Sequence, residues 1–298
     1  MGRSIGVVMT TDITAGLIED HRLIGEIRRY PEDPDEMQGL IDLPTDPLVE
    51  VICDLIMALK PEKNPLDAIG IALPGIVRAG VVEDSPNLAQ LKGARISQKV
   101  EATLHARGIK APISLFNDAD ASAAGLAATR NQLDKVVRVW TLGNGIGFGR
   151  YPDAPGPFEG GHTVVTLDPK ETFCGCNGVG HLEGIVGHRA MRLRFMDMEP
   201  DEIFANAKKG DQRCADFVKR WHRALAAGTA TSIHLEGPGR FYLTGTNIGF
   251  LDLALLKQYL WDMVKMSPLQ SYSVESIPET PEIAVIGAGT AAELDQKR

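Results

Sequence analysis

Short apolar segments alternate with segments of helical periodicity along most of this chain, and this alternation limits its fold more than any other feature. Residues 68–73 (AIGIAL) and 113–118 (ISLFND) are typical of buried strands, whereas 46–60 and 119–130 have apolar or small residues at helical spacing. Strands that alternate with helices indicate an α/β fold with mostly parallel or mixed sheets. Further strands are predicted at 4–9, 13–18, 136–143, 240–244 and 283–286, and further helices at 96–107, 185–196, 200–209, 211–230, 251–265 and from 290.

The length of the chain allows two lobes. A chain of 298 residues can form two medium-sized domains that each bury a core, and its 44% hydrophobic and 23% charged content is that of a globular protein. The pattern changes near 112–118. We therefore predict a smaller N-terminal α/β lobe at 1–115 and a larger C-terminal α/β lobe at 116–298, with the last helix free to return to the first lobe.

Charge and hydropathy exclude two classes of partner. The net charge is −8, and an acidic surface repels phosphate backbones, so we expect no nucleic-acid partner. No segment reaches the roughly 18 to 20 continuous apolar residues that span a bilayer. The start of the chain also lacks the apolar run of a signal peptide. We expect a cytoplasmic protein with no membrane partner.

Four residues of metal-ligating type fall within twenty positions, in a segment that has no apolar core of its own. They are His162, Cys174, Cys176 and His181. Two thiolates and two imidazoles satisfy a four-coordinate, tetrahedral Zn²⁺ and leave no position open for water, so we predict a structural zinc site. The alternative is a set of unrelated surface side chains. The other two cysteines, Cys53 and Cys214, lie in apolar helical segments and are predicted to be reduced core thiols.

Asn117 and Asp118 follow an apolar strand and precede a helix of small residues. A carboxylate at the carboxyl end of a strand in an α/β sheet is well placed to act on a ligand, for example as a general base. The alternative is an Asx turn or a helix N-cap, and the spacing does not decide between the two. Asp120 is the more natural cap, which would leave Asp118 for chemistry.

A glycine-rich turn occupies residues 143–149 (GNGIGFG). Its backbone N–H groups could hold phosphate oxygens, although tight hairpins use the same residues. The turn matches neither a P-loop, since no Gly-Lys-Ser/Thr follows, nor a dinucleotide fingerprint, since residues 150–152 (RYP) interrupt any helix. By itself it leaves both interpretations open.

Taken together, these segments resemble the motifs of the ROK family. Residues 159–162 are similar to its Glu-x-Gly-His sugar motif, and residues 174–183 to its Cys-x-Cys-Gly-x-x-Gly-Cys-x-Glu zinc motif. The other matches are Leu73-Pro74-Gly75, Ser85-Pro86-Asn87-Leu88, Asn117-Asp118, residues 141–147, Gly245-Thr246-Asn247-Ile248-Gly249 and Ile286-Gly287-Ala288. All occur in the family's order, from about residue 68 to 294.

The resemblance implies a two-lobed, actin-like ATPase fold of the ribonuclease H-like type, with sugar and ATP bound in an interlobe cleft. Asp118 would take the proton from the sugar hydroxyl that attacks the γ-phosphate. The remaining sugar-binding residues would be Gly75, Asn87, Asn117, Glu159, His162 and Glu183. The residues on the side of Mg²⁺-ATP would be Thr10, Thr11, Asp12, Gly143, Asn144, Gly145, Gly147, Gly245, Asn247 and Gly287. His162 would also bind the zinc ion.

The sequence departs from the family's pattern at two places. His181 stands where the zinc motif has its last cysteine, an exchange that zinc accepts. The family's first phosphate motif, Asp-x-Gly-Gly-Thr, corresponds here to residues 7–12 (VVMTTD), in which the acid is displaced and both glycines are replaced. β-Branched threonine resists the positive φ angles that glycine allows.

These observations predict a glucokinase-like enzyme that phosphorylates a hexose or an N-acetylhexosamine with ATP. The alternative is a sugar-binding member of the family with weak or no kinase activity, because the first phosphate motif is degraded. The resemblance also favours a homodimer or homotetramer. It does not identify the sugar.

Overall fold

The computed structural model describes residues 2–33, 39–61, 65–153, 156 and 158–297. It divides the chain into two compact units. The first contains Met1–Val137, Gly149–Pro157 and Thr280–Arg298, and the second contains Arg138–Phe148 and Phe158–Glu279. The boundary predicted at 115/116 falls inside the first unit, because the helix after residue 117 packs against the last helix of the chain, which belongs to the same unit.

A five-stranded sheet forms the centre of the first unit. Its strands, with two short strands beside it, are β1 (Arg3–Met9), β2 (Ile13–Glu19), β3 (Arg22–Tyr30), β4 (Ala68–Leu73), β5 (Ile76–Arg78), β6 (Val81–Asp84) and β7 (Ile113–Asn117). The order in the sheet is β3-β2-β1-β4-β7, while β5 pairs with β6. β1, β4 and β7 are parallel neighbours, so their carboxyl ends meet at one edge. Ligands of open α/β sheets bind at such edges.

Helices cover both faces of this sheet. They are α1 (Gly39–Asp42), α2 (Thr45–Leu59), α3 (Ile96–Ala106), α4 (Asp118–Thr129) and the last helix, α10 (Pro281–Asp295). Alternate residues of a strand point to opposite faces. Ile5 and Val7 accordingly lie in the core with α2 and α3, whereas Val8 packs with α4 and α10. Both faces of the central strands are therefore buried.

The strand predicted at 283–286 is wrong, since these residues lie inside α10. A run of four apolar residues does not distinguish a strand from a buried helix. Tertiary packing explains why this segment is helical. Gly287 of α10 leaves room for the backbone of Ala121 in α4, and a Cβ at Gly70 of β4 would clash with the carbonyl of Ala288 in α10. Small residues thus let α10 lie close to both the sheet and α4.

The second unit contains most of the other sheet, with the strand order β11-β10-β8-β9. The elements are β8 (Val137–Leu142), β9 (Ile146–Tyr151), α5 (Glu183–Val186), α6 (His188–Arg194), α7 (Pro200–Lys208), α8 (Gln212–Glu236), β10 (Arg240–Thr244), α9 (Leu253–Met263) and β11 (Ser273–Ser276). The helix predicted at 185–196 is divided at Gly187, which has extended backbone angles. Trp140 and Trp221 are fully buried in the core of this unit.

The two cysteines outside the ligand cluster are buried and free, as predicted. Burial raises the pKa of the Cys53 thiol to about 11, so that this side chain stays protonated at neutral pH. Among the described helices, none combines the length and the hydrophobicity that crossing a membrane requires.

Candidate functional site

In the first unit, Asn117 and Asp118 lie where β7 ends and α4 begins. Asn117 Oδ1 accepts hydrogen bonds from the N–H groups of Ala119 (2.8 Å) and Asp120 (3.4 Å), and its amide donates to Gly75 O (2.9 Å). Asn117 is therefore the N-cap of α4, and the expectation that Asp120 has this role is wrong. Asp118 is the first helical residue, and its Oδ1 also lies within 3.0 Å of the Ala119 nitrogen.

Two further predicted sugar-binding segments lie at the same sheet edge. Gly75 lies two residues after the end of β4 and has φ +121°, a conformation that favours glycine. A side chain there would clash with the backbone at Asp84 and Ser85. The Ser85 hydroxyl donates to Pro74 O (2.6 Å) and is buried. This bond ties the turn that contains the exposed Asn87 to the residue before Gly75. The structure thus brings the three sugar-side segments of this unit together.

Asp12 lies in the turn after β1, close to the same edge, but its carboxylate is already paired. Arg29 Nε lies 2.9 Å from Oδ2, and the Thr10 hydroxyl donates to Oδ1 (3.2 Å). Asp12 is 8% exposed. Thr10, Thr11 and Asp12 therefore form a closed turn, and the carboxylate that could hold a metal ion is neutralised by a guanidinium group instead.

Asp120 is a titratable residue of this region for which the sequence pattern predicts only a helix N-cap. Burial raises the pKa of Asp120 to about 7, and the charges of Asp153 and Asp118 raise it further. The N–H of Arg150 donates a hydrogen bond to Asp120 Oδ1 (2.9 Å), which lowers the pKa and so opposes the effect of burial. The bond joins α4 to the end of β9. Its partner is thirty positions away, so local sequence patterns do not reveal it.

In the second unit, the four predicted metal ligands converge. Their ligand atoms all lie within 4.8 Å of one another. The two sulfurs are 3.4 Å apart, the Nδ1 atoms of His162 and His181 are 3.2 Å apart, and Cys176 Sγ lies 3.3 Å and 3.2 Å from these nitrogens. Cys174 Sγ lies 3.5 Å from His162 Nδ1. All four side chains therefore point toward one centre.

These distances match a tetrahedral zinc site. Zinc binds sulfur at about 2.3 Å and imidazole nitrogen at about 2.0 to 2.1 Å, which gives tetrahedron edges of about 3.8 Å (S to S), 3.6 Å (S to N) and 3.3 Å (N to N). The five separations given above fall within about 0.4 Å of these values, and the sixth, between Cys174 and His181, is at most 4.8 Å. Glycine at position 178 leaves room for the imidazole of His181, because any side chain at position 178 would overlap that ring.

Glu183 connects this cluster to the glycine-rich turn. Its Oε1 accepts hydrogen bonds from the Gly175 N–H (3.2 Å) and the Cys174 thiol (3.3 Å), and Oε2 accepts from the Ile146 N–H (3.2 Å). Glu159 lies next to a different ligand of the cluster, with its Oε2 4.0 Å from His162 Nε2. Partial burial raises the pKa of Glu159, an effect that His162 opposes. Glu159 and Glu183 thus both lie beside predicted metal ligands, one of which, His162, is also a predicted sugar-binding residue.

The predicted phosphate-binding residues of the second unit meet at the ends of β8 and β10. Gly245 has φ +106° and lies against the backbone of Leu142, and the Asn247 amide donates to Gly143 O (2.9 Å). The N–H groups of Gly143 and Ile146 are bonded within the unit. Those of Asn144 and Gly145 have no acceptor among the described residues. Two backbone donors of the turn therefore remain for a ligand.

Two of the glycines predicted to bind the nucleotide lie outside this cluster at the ends of β8 and β10. Gly147 is inside β9, whereas Gly287 belongs to the first unit, in the contact between α10 and α4. Packing accounts for glycine at position 287. His188 contacts Asn247 and thus lies in this region, although it belongs to none of the sequence motifs.

The sheets and helices define an α/β protein of two compact units, with a Cys₂His₂ cluster in the second unit. The chain belongs to the ROK family, whose model matches residues 6–277. The ROK hexokinase from Thermus thermophilus has a similar structure, with a TM-score of 0.80 and 22% sequence identity over 99% of both chains. The predicted α/β, two-lobed actin-like fold is thereby confirmed.

Two curated relatives are similar to the chain in sequence. The glucokinase of Pyrobaculum calidifontis is 28% identical over 195 residues, which are 60% of this chain and 63% of that protein. The match therefore spans slightly less than two thirds of that relative. The N-acetylmannosamine kinase of Haemophilus influenzae (strain PittGG) is 25% identical over 271 residues, 85% of this chain and 86% of that protein.

Proposed function

We propose that this protein transfers the γ-phosphoryl group of ATP to a hydroxyl group of a hexose or an N-acetylhexosamine. The observation that carries this proposal is that hydrogen bonds tie Asn117, at the start of α4 and next to Asp118, and the turn at Ser85 to the Pro74-Gly75 segment at one edge of the sheet. Family membership supports the proposal, and two curated relatives are named as sugar kinases.

In the proposed reaction, Asp118 is the general base. Its carboxylate accepts the proton of the attacking sugar hydroxyl, the hydroxyl oxygen forms a bond to the γ-phosphorus, and ADP leaves with the electrons of the broken P–O bond. The cap formed by Asn117 fixes the backbone that carries Asp118, since it ties the helix start to Gly75. Such fixed positioning is a large part of catalysis in phosphoryl transfer.

Selection of a sugar requires several hydrogen-bonding groups. The residues that the family resemblance assigns to the hydroxyl groups that do not react are Asn87, Asn117, Glu159, His162 and Glu183. A buried polar group left unpaired by the wrong sugar costs about 1 to 3 kcal/mol. Polar groups that a bound sugar buries can therefore discriminate between sugars.

On the phosphate side, the backbone N–H groups of Asn144 and Gly145 would bind phosphate oxygens. A Mg²⁺ ion bound with ATP would neutralise part of the phosphate charge. Asp12 does not fit the role of its ligand, because Arg29 and Thr10 occupy its two carboxylate oxygens. The phosphate-binding groups that the proposal retains are therefore the N–H groups of Asn144 and Gly145.

The metal cluster fits Zn²⁺ in its donor types and its separations, and we propose that it holds a structural zinc ion. His162, Cys174, Cys176 and His181 would be its ligands. Zinc would fix the loop that precedes Glu183, whose carboxylate contacts Cys174 and Gly175, and the orientation of the His162 ring. The metal would therefore support the wall of the sugar site.

The pairing of Asp12 favours a second candidate, a sugar-binding protein with weak or no kinase activity. Calorimetry separates the two candidates. Binding of a sugar without binding of Mg²⁺-ATP supports the second candidate, whereas binding of both supports the kinase.

The experiment that tests the kinase directly is a coupled ADP-release assay on folded, zinc-loaded protein with Mg²⁺-ATP. The panel should contain glucose, mannose, N-acetylglucosamine and N-acetylmannosamine. Turnover that depends on one of these sugars supports the proposal. Absence of turnover with every hexose and N-acetylhexosamine would reject it.

A further inference from the structure

One continuous segment of the second unit carries most of the predicted metal ligands and also supports the glycine-rich turn. Residues 174–181 contain three of the four ligands, and the chain then enters α5 at Glu183. The start of α6 lies along the turn, since the backbone N–H groups of His188 and Arg189 donate to two carbonyl oxygens of the turn (3.0 and 3.2 Å). The ligand loop therefore leads directly into the residues that hold the turn.

The Glu183 carboxylate connects the ligand loop to the turn through hydrogen bonds. Its Oε1 accepts from the Gly175 N–H (3.2 Å), and its Oε2 accepts from the Ile146 N–H (3.2 Å). Cys174 Sγ also lies 3.3 Å from Oε1, but a zinc-bound thiolate has no proton to donate, so only the bond from Gly175 is compatible with a loaded cluster. Each carboxylate oxygen thus holds one backbone donor, from opposite sides.

The turn is closed by the peptide group that joins Gly145 to Ile146. This group is planar, so its N–H, which donates to Glu183, and its C=O, which accepts from the Gly143 N–H (3.1 Å), have one common orientation. A Cβ at Gly145 would lie 2.7 Å from Glu183 Oε2, so the turn lies directly against the carboxylate. Glu183 therefore also influences the directions of the N–H groups of Asn144 and Gly145, which have no acceptor in the described part of the chain.

We propose that Glu183 is a positioning residue for the phosphate-binding turn, and that filling of the metal cluster raises the affinity for the nucleotide through it. This inference rests on the proposed function, since it assumes that the N–H groups of the turn bind phosphate oxygens. With zinc bound, the backbone of residues 174–176 has one conformation, and the Gly175 N–H then fixes the carboxylate oxygen that faces away from the turn. Loss of the metal releases this loop and removes the fixed support of the turn. The cluster thus acts on the phosphates as well as on the sugar.

The test measures hydrogen–deuterium exchange of the turn by mass spectrometry, on a peptide that contains residues 143–148. Wild type, Glu183→Ala and Glu183→Gln are compared with zinc bound and after zinc has been removed by a chelator that is then dialysed away. We expect zinc removal to speed exchange about 10-fold in the wild type and less than about 2-fold in Glu183→Ala, in which exchange is already fast with zinc bound. Glu183→Gln should be intermediate, since its single amide oxygen replaces only one of the two carboxylate oxygens.

Calorimetry with Mg²⁺-ATP in the absence of sugar measures the consequence for the nucleotide. Zinc removal and Glu183→Ala should each raise the Kd about 10-fold, and zinc removal should have little further effect on the variant. By linkage, Mg²⁺-ATP should raise the zinc affinity of the wild type by the same factor, measured in competition with a zinc-selective chelator. The matched control is Asp262→Ala, which removes an exposed carboxylate of the same unit and should behave as the wild type.

Thermal unfolding and zinc content show whether each variant is folded and loaded, and if Glu183→Ala does not fold, the comparison uses Glu183→Gln. Turn exchange that zinc removal leaves unchanged in the wild type, or speeds equally in the Glu183 variant, would overturn the inference. A loaded wild type that binds no Mg²⁺-ATP would overturn it as well. Metal-dependent binding of Mg²⁺-ATP without turnover of any sugar would support the inference and reject the kinase.

Discussion

Arg29 Nε lies 2.9 Å from Asp12 Oδ2, at the point where the ROK family is expected to begin its first phosphate motif. Asp12 is nearly buried and also accepts a hydrogen bond from Thr10, so its negative charge is compensated within the first unit. A paired carboxylate is a poor ligand for Mg²⁺, which needs oxygen atoms that can approach the ion closely.

We therefore expect Asp12→Asn to change the KM for Mg²⁺-ATP and kcat by less than about 3-fold, since removal of a metal-binding carboxylate would cost far more. Steady-state kinetics check this. The control is Asp46→Asn, which removes an exposed partner of Lys99 and should be equally harmless. A loss of 100-fold in kcat with Asp12→Asn would show that Asp12 does act on the nucleotide.

Asp118→Asn should reduce kcat at least 100-fold, because the change is nearly isosteric but removes the proton acceptor. The melting temperature should stay within a few degrees of the wild type, and sugar binding measured by calorimetry should persist. If the variant retains turnover within about 10-fold of the wild type, Asp118 is not the base.

Cys174→Ser should lose zinc and sugar affinity together, because Cys174 belongs to the ligand cluster and also contacts Glu183. Metal analysis and calorimetry measure the two effects on the same sample. Cys214→Ala is the matched control, since this buried cysteine lies outside the cluster and should leave the zinc content unchanged. Zinc loss with unaltered sugar affinity would show that the metal does not shape the sugar site.

The raised pKa of Asp120 predicts how stability depends on pH. Its pKa is about 7 in the folded protein and near 3.8 in the unfolded chain, so between these values the unfolded state releases the proton first. The stability contribution is therefore fully present below about pH 4 and is lost as the pH rises to 7. Asp120→Asn removes this dependence.

The free energy of unfolding of Asp120→Asn relative to the wild type should grow by about 2 to 3 kcal/mol between pH 5 and pH 8. Urea unfolding at both pH values measures the difference. Parallel stability profiles of the two proteins would mean that Asp120 is ionised in the folded state at neutral pH.

Local patterns predict the features that depend on neighbours in the sequence. The convergence of Cys174 and Cys176 with His181 follows from their spacing, and the end of β7 at Asn117 follows from the polar residues after an apolar run. The pairing of Asp12 with Arg29 depends on the register of β2 against β3, and the contact between His188 and Asn247 joins residues 59 positions apart. Patterns within a window of residues contain no information on either.

The last helix is an element for which the local sequence pattern gives a wrong prediction. Residues 283–286 have the composition of a strand, but they are part of α10. The glycines at 287 and 125 allow two helices to approach until backbone atoms touch, and this packing is absent from any periodicity in the sequence. Tertiary contact therefore overrides local preference at this position.

Phosphoryl transfer itself is the most direct test of the central claim. The measurement incubates the zinc-loaded protein with [γ-³²P]ATP, Mg²⁺ and each hexose or N-acetylhexosamine of the panel, and separates labelled sugar phosphate from ATP and inorganic phosphate. We predict that one or more sugars become labelled in proportion to the ADP formed, and that Asp118→Asn protein labels none. Sugar binding without labelled sugar phosphate for any member of the panel would contradict the assignment as a sugar kinase.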